Sequence, residues 1–229
     1  MQAIQEKLDA IRTQIKHYSD SHGRDKDSVQ LLAVSKRQPP SKILEAWRAG
    51  QTAFGENYLQ EARDKQQVLA ELPIEWHFIG PIQSNKTRDI AEHFSWVHSV
   101  DRLKIAKRLS EQRPESLAPL NICLQVNIDN ETTKSGCSTD ELAHLAHTVN
   151  TLPQLRLRGL MVIPAKRSHL DEQHAVFAEV RDLMDTLSMH NPSLAIDTLS
   201  MGMSDDIEAA IAEGSTMVRV GTGIFGPRQ

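Results

Sequence analysis

An amine at the end of an apolar run is the first chemically distinctive feature of the chain. Leu31-Leu32-Ala33-Val34 leads straight into Ser35 and Lys36, and Pro39-Pro40 follows, where regular structure is expected to stop. A lysine in this setting either leaves for water along its apolar stem or sits partly desolvated, where lost hydration disfavours the ammonium and frees a nucleophilic amine. Such an amine condenses with aldehydes to a Schiff base, so Lys36 points to a carbonyl cofactor or substrate. A second set of residues has the character of an anion site. Leu199-Ser200-Met201-Gly202-Met203-Ser204-Asp205-Asp206 is rich in small and hydroxyl residues, and Ser204 is placed to cap a helix with acids in its first turn. Arg219-Val220-Gly221-Thr222-Gly223 resembles it in kind. Small residues let backbone N–H groups approach an anion closely, and Ser200 and Thr222 add hydroxyl donors. Two ordinary tight turns are the competing reading, and Asp205 and Asp206 must point away from any bound phosphate.

Arg219 shares a strand face with Met217, and an arginine on a strand buried on both sides needs a partner. That partner is either an acid or a ligand, such as a ring nitrogen or an anion. His77, between Trp76 and Phe78, is either a packed core histidine or a cofactor neighbour. Residues 221–226, Gly-Thr-Gly-Ile-Phe-Gly, match a dinucleotide fingerprint literally. They lack the crossover helix and the acidic residue about twenty positions on that the motif requires, so that reading is rejected. His144 and His147 could share a helix face, but no third ligand lies nearby and no metal site is expected. No G-x-S-x-G nucleophile pattern is present.

These groups need elements to position them. Apolar, β-rich runs occur at 31–35, 52–54, 76–79, 96–100, 121–127, 155–163, 197–199 and 216–220. Helical stretches separate them at 41–49, 57–70, 84–93, 101–112, 138–150, 168–190 and 204–212. Alternation of this kind implies parallel strands with helical crossovers. Eight units predict an α/β fold of one (β/α)8 TIM-type barrel over residues 1–229, with an open doubly wound sheet as the competitor. Residues 221–229 are too few for a normal closing helix. The amphipathic stretch 2–19, with Ile4, Leu8, Ile11 and Ile15 on one face, is expected as an additional N-terminal helix covering that gap. In such a barrel, functional groups gather where strands end and βα loops begin, which is where Lys36, Asn57, His77, Met161, Ser200 and Arg219 fall.

Composition is that of an ordinary globular protein: 229 residues, 39% hydrophobic, 24% charged, with a net charge of −4. Nothing indicates a nucleic-acid partner. Apolar runs are too short to span a bilayer, and the polar start Met1-Gln2-Ala3-Ile4-Gln5-Glu6-Lys7 argues against a secretion signal. Cys123 and Cys137, without a C-x-x-C, suit a reducing compartment, so a cytoplasmic location is expected. Nothing in the sequence forces a dimer, and a monomer is expected.

Ala33-Val34-Ser35-Lys36, Phe54-Gly55-Glu56-Asn57-Tyr58, Trp76-His77-Phe78-Ile79-Gly80-Pro81-Ile82-Gln83-Ser84-Asn85-Lys86 and Leu199-Ser200-Met201-Gly202-Met203-Ser204-Asp205-Asp206 closely resemble the YggS/PROSC family, the pyridoxal phosphate homeostasis proteins. Lys134-Ser135-Gly136, Arg158-Gly159-Leu160-Met161 and Arg219-Val220-Gly221-Thr222 resemble it too, so the matches run in order along essentially the whole chain. The resemblance implies a barrel like the N-terminal domain of alanine racemase, with pyridoxal 5′-phosphate (PLP) as a Schiff base on Lys36. It implies binding, buffering and delivery of PLP, with PLP-dependent apo-enzymes as the expected recipients and little or no turnover. On that basis Ser200, Gly221 and Thr222 are expected to hold the phosphate, Arg219 to face the pyridine nitrogen, and Asn57, His77 and Met161 to form the walls. One departure is Gln38, where the family commonly has a second lysine. Handover through that amine is not supported here, which leaves Lys134 as the second candidate amine.

The runner-up is a PLP-dependent amino-acid racemase. Alanine racemase takes its second base from a further C-terminal β-domain, for which no residues remain after Gln229. A Schiff-base aldolase acting on a sugar phosphate fits the barrel but not Arg219. An arginine stays protonated and gives the ring no proton, so the ring is a weaker electron sink than one facing an aspartate. That favours a carrier over an enzyme.

Overall fold

The structure, a computed structural model, describes residues 2–227. Eight strands, β1 Gln30–Val34, β2 Ala53–Glu56, β3 Glu75–Phe78, β4 Trp96–Val100, β5 Leu120–Val126, β6 Leu155–Val162, β7 Thr198–Ser200 and β8 Met217–Val220, pair in sequence order. All are parallel, and β8 returns to β1 with Gln30 opposite Met217 and Ala33 opposite Val220, so the sheet is a closed barrel. Each is a run of three to eight residues, most of them buried, as expected of strands covered on both faces.

The helices are α1 Gln2–Ser21, α2 Pro40–Arg48, α3 Leu59–Val68, α4 Thr87–His93, α5 Leu103–Gln112, α6 Thr139–Asn150, α7 Leu170–His190, α8 Ile207–Ala212 and α9 Thr222–Phe225. Helix α1 buries Ile4, Leu8, Ile11 and Ile15 and packs against α2, α8 and α9. It fills the outer ring where the four-residue α9 is too short to do so. The paired prolines do not stop regular structure. Pro39 is extended, at φ −69° and ψ 155°, and Pro40 opens α2, where a missing N–H costs nothing and the fixed φ suits a helix. Nor is 84–93 one helix: Ser84–Lys86 forms a 3₁₀ turn before α4. Among the described residues no helix is long and apolar enough to cross a membrane.

Side-chain alternation divides the barrel wall. Leu32, Val34, Ala53, Ile79 and Met217 cluster on one side of the interior, and Trp96, Cys123 and Met161 on the other. The opposite faces of the strands join the helices in the large outer core. Where β6 passes the irregularity between Ile122 and Cys123, Gly159 adopts φ +154°, and a Cβ there would lie 1.8 Å from the Thr198 carbonyl oxygen. Gly159→Ala must therefore strain the backbone and part β6 from β7. We expect a loss of about 3 kcal/mol or more in urea unfolding.

Candidate functional site

The C-terminal mouth of the barrel holds a cavity of about 170 Å³. Lys36, Asn57, Met161, Arg219, Gly221 and Thr222 line it together, with Gln38, Met203, Ser204 and apolar walls from Val34, Ile79 and Ile163. The lining comes from strand ends and the loops beyond them, the usual functional face of the fold.

Lys36 lies two residues past β1, half-buried. Its flanks are held by an ion cluster between the barrel wall and α3. Lys65 Nζ donates to the Ser35 carbonyl at 2.7 Å and to Glu56 Oε1 at 2.7 Å, and it also pairs with Glu61. Ser35 Oγ donates to the same Glu56 oxygen, and Glu61 accepts from the Arg37 N–H. Arg37 sits at φ 59°, a left-handed conformation that a side chain seldom adopts, so the cluster also holds a strained turn. The carbonyl before Lys36 and the amide after it are thus both anchored to buried or partly buried charges. Burial raises the Glu56 carboxyl above its ordinary range despite Lys65 alongside, and its Oε2 has no hydrogen-bond partner among the described residues.

Arg219 is 4% exposed and has no carboxylate within ion-pair distance among the described residues. Its Nη1 donates to the carbonyl and the hydroxyl of Ser200, and its Nη2 to the Val162 carbonyl at 2.8 Å. Burial lowers it to about 10, which still leaves a cation at neutral pH. Three of its five N–H groups are used in this way, which leaves one on Nε and one on Nη2 for the cavity. A structural ion pair is therefore not what holds this arginine.

Two expected site residues lie below the cavity. Ser200 is fully buried, and its hydroxyl meets Arg219 and His98, so it is not open to a phosphate. His77 is fully buried and bonded to His98 and Glu75, so it is not a cavity wall. Both face inward as strand alternation requires, but one layer deeper. Ser204 is not the helix cap either. The cap position of α8 is Asp206, whose Oδ1 accepts from the Met203 N–H at 2.5 Å and so turns back into its own loop. That frees Ser204 to line the cavity beside Thr222.

Two features fit a cofactor with a phosphate and polar ring substituents. Asn57 Oδ1 is buried on the cavity wall without a hydrogen-bond partner among the described residues, an acceptor awaiting a donor. Gly221 packs on Val34, with its would-be Cβ 3.2 Å from the Val34 carbonyl oxygen, so a side chain there would crowd the cavity corner. The first N–H groups of α9, which follows it, have no intrahelical acceptor. In the adjoining recess lie Lys166 and Arg167, paired with Asp205 and Asp129 respectively.

The family model described as alanine racemase, N-terminal domain, matches residues 7–229. The pyridoxal phosphate homeostasis protein of Pseudomonas aeruginosa is 58% identical over 228 residues, spanning 100% of this chain and 97% of that protein. That of Escherichia coli is 52% identical over 231 residues, spanning 100% and 98%. PipY of Synechococcus elongatus, solved with PLP bound, superposes with a TM-score of 0.87 at 41% identity, covering 97% of this chain and 100% of that one. An alanine racemase of Clostridium difficile shares the fold, with a TM-score of 0.78 at 14% identity, covering 99% of this chain and 57% of that one. By full-length similarity, and by the barrel that carries it, the chain belongs to the pyridoxal phosphate homeostasis protein family, built on the alanine racemase N-terminal domain.

Proposed function

We propose that this chain binds pyridoxal 5′-phosphate in the cavity at the barrel mouth and serves to hold, buffer and deliver it in the cytoplasm, with little turnover of its own. The observation that carries the reading is the convergence of Lys36 and Arg219 on one half-enclosed space. Bound PLP supplies an aldehyde that condenses with amines and a ring that draws electrons from an attached carbon.

The residues divide the work. Lys36 is the amine that holds the aldehyde carbon. Gly221, Thr222 and Ser204 take the phosphate, with the first N–H groups of α9. Asn57 accepts from a ring substituent, and Met161 packs on the ring. Arg219 presents a donor that keeps its proton, so it steadies the ring without charging it. Among the described lining residues, Lys36 and Arg219 are the titratable ones. Proton abstraction on one face and return on the other needs two groups that exchange protons, and an arginine is a poor one. That supports a carrier over a racemase. The apo-enzymes that take up PLP are the expected partners, through amine exchange at Lys36.

Two experiments test this. Loaded protein mixed with a PLP-dependent apo-enzyme should restore that enzyme's activity, and a broad amino-acid panel should show no efficient racemisation or decarboxylation. Rapid turnover of any of these substrates would overturn the carrier reading. For the phosphate corner, Thr222→Val should weaken PLP retention by about tenfold, the worth of one hydrogen bond to a charged group. It should leave the weaker binding of pyridoxal, which lacks the phosphate, unchanged, as measured by equilibrium dialysis.

A further inference from the structure

A file of polar side chains crosses the barrel interior beneath the cavity. Glu75 Oε1 meets His77 Nε2 at 2.8 Å, His77 Nδ1 meets His98 Nε2 at 2.9 Å, and His98 Nδ1 meets Ser200 Oγ at 2.8 Å. Arg219 Nη1 donates to that same Ser200 Oγ at 2.8 Å. His77, His98 and Ser200 are fully buried; Glu75, at the start of β3, is 43% exposed. Barrel interiors of this type are ordinarily filled by branched apolar residues. A polar file there is costly unless every member is satisfied.

The two ends fix the direction of every hydrogen. Glu75 is an ionised carboxylate, held below its usual range by the hydrogen bond from His77, and it only accepts. His77 Nε2 therefore carries its hydrogen. Burial pushes both imidazoles down, so each is neutral and has a single N–H. His77 Nδ1 is then an acceptor, and His98 Nε2 must donate to it. That leaves His98 Nδ1 as an acceptor, and the Ser200 hydroxyl must donate to it. Ser200 keeps a lone pair for Arg219, which only donates. The chain closes without conflict: each donor points away from the arginine, toward the carboxylate at the far mouth.

We propose that Glu75, His77, His98 and Ser200 form a one-way positioning relay that fixes the Arg219 guanidinium, so that its remaining N–H groups face the cavity. The carboxylate sets the direction, the two imidazoles transmit it, and the hydroxyl receives the arginine. None of the four touches the cavity, so they act through Arg219. The consequence for the ligand rests on the PLP reading above; the direction of the relay does not.

The test separates the two. In protein without added cofactor, histidine-¹⁵N NMR near neutral pH should show His77 and His98 as neutral Nε2–H tautomers, and Arg219 should give resolved Nη signals. Glu75→Leu removes the terminal acceptor from a partly exposed position. It should mix the tautomers and collapse the Arg219 signals into one averaged resonance. Glu75→Gln keeps an acceptor oxygen and should restore both. With PLP added, Glu75→Leu should shift the cofactor absorbance and speed its release by about tenfold, as for coupled members of one network. An imidazolium or an Nδ1–H tautomer at either ring, or Arg219 signals unmoved in Glu75→Leu, overturns the relay. Should Glu75→Leu not fold, His98→Gln, which offers a donor and an acceptor at the same place, must keep the Arg219 signals resolved while His98→Leu loses them. If the apo signals behave as stated but no cofactor absorbance develops, the PLP reading fails and the relay stands.

Discussion

Lys36→Ala protein, mixed with PLP and desalted, will emerge folded and colourless, while the parent protein keeps a near-visible cofactor band. The amine is what makes retention outlast the column; the remaining contacts hold the ligand only at equilibrium. The fold survives because Lys36 is half-buried at the rim and the turn around it is held by Lys65, Glu56 and Glu61. A ligand at a hundred times its Kd stabilises the state it binds by about 2.7 kcal/mol. For a chain of this size that is a rise in Tm of about 5–10 °C, and most of it should vanish in the variant. Lys36→Arg keeps the charge but cannot condense with an aldehyde, so it separates covalent capture from electrostatics and should resemble alanine. Borohydride should fix the label on the peptide carrying Lys36. Label confined to Lys42 or Lys134 would move the covalent site elsewhere. Lys42 Nζ donates to Oε1 of the cavity-lining Gln38 at 2.9 Å and to the Phe225 carbonyl at 3.0 Å.

The barrel was legible because short β-rich runs alternate with longer helical stretches along the chain. β4 falls at Trp96–Val100, the expected bounds, and α1 packs beside the four-residue α9 as the expected N-terminal cover. What alternation cannot reveal is depth. Period two says that His77 and Ser200 face inward, but not that they lie one layer below the cavity. His98 was missed although it follows Trp96 at strand spacing and shares its face, because a lone inward histidine has no distinctive neighbours in sequence. Ser204 was misplaced for a different reason. Gly202 at φ +97° and the Asp206 bond back to Met203 lengthen the loop after β7, so α8 starts later than its polar preface suggests. Lys65 lies in the polar helical stretch 57–70, where nothing marks it for burial. Its i,i+4 partner Glu61 was visible in the sequence, but its contact with Glu56 depends on how α3 docks.

That docking sets up the largest stability effect. Lys65 is 3% exposed and Glu56 is fully buried, and their pair lies directly under the turn that carries Lys36. Removing one partner of a buried pair costs about 3–5 kcal/mol, because the other is left uncompensated. Lys65→Met, which preserves most of the volume, should therefore lower Tm by roughly 10 °C. The loss will depend on pH in a stated direction. Burial already raises the folded-state affinity of Glu56 for a proton, and without Lys65 it rises further. Above the unfolded value the folded chain then binds more protons than the unfolded one, so stability falls as pH increases through that window. The penalty should be smaller at about pH 5.5, where Glu56 is closer to neutral, and larger at about pH 8. Lys65→Met with Glu56→Leu removes both charges and should recover most of the loss, since well-packed apolar residues replace a buried pair at little cost. The double variant nevertheless leaves the Ser35 carbonyl without its lysine donor. If the cluster serves to hold Lys36, PLP release will remain fast after stability has returned, and equal recovery of both would mean that the cluster acts on the fold alone.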